Sequence, residues 1–111
     1  MKLHKNLTPD RWFKFSLMEQ LANIGTDISR VINWRNKGDL ESSRQAFERA
    51  LELLYLTVED PKNKKRLKEI CRMREMLIDY FAYDNEYSST DEFWQEYFYY
   101  FNYAAAIAKG K

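Results

Sequence analysis

Apolar positions along the chain recur every three to four residues in four long stretches, and nowhere do they alternate in the twos that mark a strand. Leu17, Leu21, Ile24, Ile28 and Val31 or Ile32 follow the capping-box signal Ser16-Leu17-Met18-Glu19, and Lys37-Gly38 supplies a stop. This pattern predicts a helix over about 17–37. Gly25 lies inside it, where a missing side chain lets another helix approach closely. Asp39 caps a second helix over about 40–59, with Leu40, Phe47, Ala50, Leu51, Leu54 and Val58 on one stripe. Asp60-Pro61 ends it and opens a third, about 61–83, whose core face carries Leu67, Ile70, Cys71, Leu77, Ile78 and Phe81, with Arg74 in its middle. Asp84 to Ser89 reads as a loop, and Ser89 or Thr90 caps a fourth helix over about 90–108. Residues 1–15 form an arm or short helix, since Thr8-Pro9-Asp10 suits a first helical turn. Short connections and one core stripe per helix predict a single all-α domain over 1–111, an antiparallel up-down four-helix bundle with a short N-terminal helical segment.

Two of these helices have more apolar surface than one core face uses. The last contains FWQEYFYYFNY, in which Phe93, Tyr97 and Phe101 fall on one side and Tyr99, Tyr100, Tyr103 and Ile107 on another. On the third, Met73, Met76, Tyr80 and Tyr83 form a second stripe. Tyr and Met bring large area with adaptable or amphipathic tips, so both stripes point to a protein interface, most simply in a homodimer. The alternative is that Trp12, Phe13 and Phe15 fold back over one of them.

Composition narrows the chemistry. Hydrophobic residues make up 45% of the chain and aromatics 16%, enough for a compact core. The net charge of +1 excludes a globally basic nucleic-acid coat. Locally, however, Lys62, Lys64, Lys65, Arg66 and Arg72 crowd the start of the third helix, which makes nucleotide or RNA binding the alternative function. Arg74 on a core face needs a partner, for which Asp27 and Glu48 are candidates. His4 is the only histidine, so His-based nucleophile, general-base and zinc schemes have nothing to assemble around, and no metal or cofactor site is expected. Cys71, the only cysteine, is expected as a small buried residue that forms no internal disulfide. No apolar run approaches the roughly 20 residues that span a bilayer. Together with the absence of an apolar leader this predicts a cytoplasmic protein with no membrane partner, and a binding role rather than an enzymatic one.

Two likenesses remain. Gly38-Asp39-Leu40-Glu41 with Ala46-Phe47-Glu48-Arg49-Ala50-Leu51 is similar to the second helix of a tetratricopeptide repeat, but the pattern does not recur. The short bundle with a basic third helix and an aromatic last one resembles the small prokaryotic HEPN (higher eukaryotes and prokaryotes nucleotide-binding) proteins. That resemblance implies a dimeric, partner-binding helical protein. The R-x(4 to 6)-H signature of the RNase members is absent, because no His follows any Arg.

Overall fold

The computed structural model describes residues 7–109, all-helical apart from turns and loops; His4 and the rest of the expected arm before Leu7 lie outside the described residues. The elements are α1 (Pro9–Phe13), α2 (Leu17–Asn36), α3 (Leu40–Glu59), a 3-10 helix (Pro61–Arg66), α4 (Leu67–Ala82) and α5 (Asp91–Lys109). Each long helix starts on a side chain or turn that satisfies its free N–H groups, apart from α4, which continues from the 3-10 helix. Ser16 and Glu19 form a reciprocal capping box on α2, Asp39 accepts from Ser42 N at the start of α3, and Thr90 Oγ1 accepts from Phe93 N at the start of α5. Gly38, with φ +85°, takes the left-handed position that ends α2.

The centre of the fold is α2, which packs against both α3 and α5. Its buried arc is wide because it serves two neighbours. On one flank Val31 O accepts from Ser43 Oγ at 2.9 Å and Gln20 Nε2 donates to Asp60 Oδ2 at 2.8 Å, tying α2 to both ends of α3. On the other flank Ala22 and Gly25 are buried, and Gly25 faces Phe98 of α5. Between these flanks Ile24, Ile28 and Ile32 join Leu54, Leu77 and Trp94 among the most deeply buried side chains.

Two expectations need correction. The third helix does not begin as an α-helix at 61: Pro61 to Arg66 form a 3-10 helix, long for its type. The cause is Asn63, which is buried and donates to Gln20 Oε1 and to Thr57 O, both at 2.9 Å, holding the segment against α2 and α3. The core face of α4 is also turned from the expected one. Ile70, Met73 and Leu77 are buried, Cys71 is half-buried, and Arg74 is exposed. A face through Arg74 would bury a guanidinium, whereas one through Met73 buries a thioether, and the desolvation cost of the former decides the rotation. The buried acid Asp27 instead meets Arg30 at 3.3 Å and Arg49 at 3.9 Å.

Candidate interaction face

Four side chains of α5 point inward. Trp94, Phe98, Phe101 and Ala105 are buried, and the rings of Trp94 and Phe98 stack with centroids 6.0 Å apart. Tyr97 is half-buried against this core, and the apolar residues of the opposite side are carried outward. Tyr99, Tyr100, Tyr103 and Ile107 are 69%, 62%, 59% and 45% exposed, well above what a covered face would show. Gln95 and Glu96 join the three tyrosines around a shallow concavity. Tyr100 is braced by an edge-on contact with Phe101, at 5.3 Å between centroids. Tyrosine loses little rotamer freedom on being covered and offers a hydroxyl at the rim.

Trp12 does not cover it. This residue is buried against α3, donating its indole N–H to Thr57 Oγ1 at 3.0 Å, and its carbonyl accepts from Gln20 Nε2 of α2 at 3.1 Å.

The second stripe expected on the third helix is not a surface. Met73 lies in the core and Met76 is packed against it. Tyr80 is half-buried, with its hydroxyl donating to Asp91 Oδ1 at 2.6 Å. Tyr83 alone of that set stays largely exposed, at the C-terminus of α4. The interface residues expected from sequence therefore divide: Tyr99, Tyr100, Tyr103 and Ile107 share one outward face, while Met73, Met76 and Tyr80 work inside the fold.

The basic run is also divided. Lys62 Nζ donates to Phe13 O at 2.9 Å and pairs with Asp60, so it ties the 3-10 helix to α1 while its side chain stays exposed. Arg66 makes two hydrogen bonds to Glu69, which raise the arginine pKa and lower that of the glutamate. Lys64, Lys65 and Arg72 are exposed. Lys65, Arg66, Lys68 and Arg72 border an open depression that Glu69 and Glu75 also line, so cations outnumber acids there.

Several polar clusters had no clear sequence signal. Gln20, Thr57, Asp60 and Asn63 are all buried and bonded to one another or to Trp12. Burial opposes the Asp60 charge, but bonds from the Lys62 and Gln20 side chains and from Lys62 N outweigh it, leaving its pKa below the ordinary value. Arg35 of α2 pairs with Asp91 at the start of α5. Burial works against that guanidinium too, and Asp91 with a contribution from Tyr80 more than compensates, raising its pKa. Asp79 accepts from Glu86 N at 2.8 Å and Tyr87 N at 3.0 Å, folding the α4–α5 loop onto its own helix.

Among the described residues no group of His, Cys, Asp and Glu could hold a metal, and no helix is long and apolar enough to cross a membrane. Compared with known proteins, the chain matches no family model, no curated protein and no solved structure.

Proposed function

We propose that this protein is a non-catalytic interaction module that self-associates through the outward face of α5. The observation that carries the reading is the contiguous exposure of Tyr99, Tyr100 and Tyr103 on a helix whose opposite side is already buried, with Trp12 docked elsewhere. Exposed apolar patches of more than a few hundred Å² are uncommon on proteins that work alone. In this reading the long helices form an up-down bundle in the cytoplasm. The absence of a His after any Arg fits the partner-binding side of the HEPN likeness rather than its RNase side.

Light scattering tests it. The expected mass rises with concentration from 13.5 kDa toward twice that value, and holds or rises further with added salt, as apolar contact requires. The Tyr99→Glu, Tyr103→Glu double variant should stay at the single-chain mass with an unchanged circular dichroism spectrum. A single-chain mass at every concentration would overturn the reading.

The second reading, nucleotide or RNA binding, retains the exposed Lys64, Lys65 and Arg72. It differs in salt response: phosphate contacts weaken steeply as salt rises.

A further inference from the structure

We infer that the occupant of the α5 face is the same face of a second copy, running antiparallel, with the two-fold axis passing between Tyr100 and Tyr103. The pairing presupposes the self-association proposed above and fixes its direction and register.

Charge along the stripe gives the direction. Glu92, Glu96, Tyr99, Tyr103 and Ile107 follow one another at steps of three and four residues, so two exposed acids and the aromatic patch share one line along the helix. The acids of α5, Asp91, Glu92 and Glu96, all fall in its first half. In a parallel two-fold pair every residue lies level with its own copy. Glu92 would then face Glu92 and Glu96 face Glu96 across a helix separation of about 8–10 Å, and the two helix dipoles would be aligned. An antiparallel pair removes both conflicts. With the axis between Tyr100 and Tyr103, Glu96 comes level with Ile107 of the second copy. The two Glu96 residues are then on the order of 16 Å apart along the helix at about 1.5 Å per residue. That exceeds a Debye length of roughly 8 Å at physiological ionic strength. The same register brings the acid-free second half of one α5 to the acidic start of the other and sets Tyr100 against Tyr103 at the centre.

Area gives the strength. At about 150–250 Å² per aromatic side chain, the exposed parts of the three tyrosines and Ile107 supply on the order of 400–500 Å² per copy. A pair would therefore bury about 800–1,000 Å², which belongs to the weak, reversible class of interface. The pair is concentration-dependent, in equilibrium with single chains.

Disulfide trapping tests the direction separately from the association. In a background carrying Cys71→Ser, chains with Glu96→Cys and chains with Ile107→Cys are each oxidised alone and as a mixture, alongside light scattering at the same concentration. Both positions are exposed and leave the tyrosines in place. A disulfide needs Cα atoms within about 7 Å, so the expected result is a mixed Glu96→Cys to Ile107→Cys product at least tenfold above either homodisulfide. A dominant homodisulfide of the Glu96→Cys chain would mean parallel pairing and would overturn the direction while leaving self-association standing. A dimer by mass with none of these products overturns the register. A single-chain mass throughout overturns the pairing and the self-association together, and leaves the face to a different protein.

Discussion

Gly25 of α2 and Phe98 of α5 touch so closely that a methyl group on the glycine would sit 2.5 Å from Phe98 Cβ and 2.9 Å from Cγ. The contact is backbone-near on both sides, so it sets how closely the two helices approach. Phe98 in turn stacks on Trp94, and both rings are buried in the core that α2 and α5 share. The inward seating of those two rings fixes which residues of α5 are left outside, so the glycine helps determine that Tyr99, Tyr100 and Tyr103 form the outward face.

Gly25→Ala should therefore destabilise the protein although alanine is the better helix former. Propensity favours the change by about 1 kcal/mol, but forcing α5 away from α2 costs about 1–3 kcal/mol or more in an otherwise packed core. The net loss is to be read from urea unfolding. A second change, Phe98→Ala, should not rescue it, because the Cβ that clashes is still present. Recovery of stability in the double variant would show that the ring, not the helix separation, is the obstacle.

Asn63→Ala should cost about 2–4 kcal/mol, since it leaves the buried Gln20 Oε1 and Thr57 O without the donor they share. The loss should be felt beyond the site. Gln20 also holds Trp12 O and Asp60, so amide exchange at α1 and in the 3-10 helix should quicken more than exchange at α5.

Acid should loosen the same corner. The pKa of Asp60 is depressed in the fold, so its contribution to stability is fully present above the ordinary carboxylate value and is lost as pH falls through the folded value. The window lies below about pH 4. Asp39 and Glu69, also depressed, add to the same trend from the surface. Asp60→Asn should be less stable than the parent at neutral pH and show a shallower fall between pH 4 and pH 2. An unchanged slope would assign the acid response to the surface carboxylates.

The helical pattern, the caps at Ser16 and Asp39, Thr90 as one of two candidate caps for the last helix, and the role of Gly25 were legible because each is a local signal, carried by residues within a turn or two of one another. The outward set Tyr99, Tyr100, Tyr103 and Ile107 was legible for a related reason: a helix with that many aromatics cannot bury them all on one side. What was not legible is set by distance along the chain. Asn63, Gln20, Thr57 and Trp12 are separated by up to 45 residues in their contacts, and nothing in the spacing of any one helix announces them. The Arg35–Asp91 pair is likewise long-range. The rotation of α4 was missed because its apolar residues fill two overlapping arcs, and periodicity alone does not choose between them.

That rotation can be tested by two substitutions one position apart. Met73 is buried against the core and Arg74 is exposed. Met73→Ala removes buried methylenes and a thioether and leaves a cavity, which should cost about 2–4 kcal/mol. Arg74→Ala should change stability by no more than about 0.5 kcal/mol, as for an ordinary surface position. Had the face through Arg74 been the inner one, the order would reverse, because deleting one member of a buried ion pair strands a charge and costs about 3–5 kcal/mol. Thermal unfolding of the two variants side by side decides the matter: a larger loss at Arg74 than at Met73 would place α4 in the other rotation, returning Met73 to the surface and restoring the second stripe as a candidate interface.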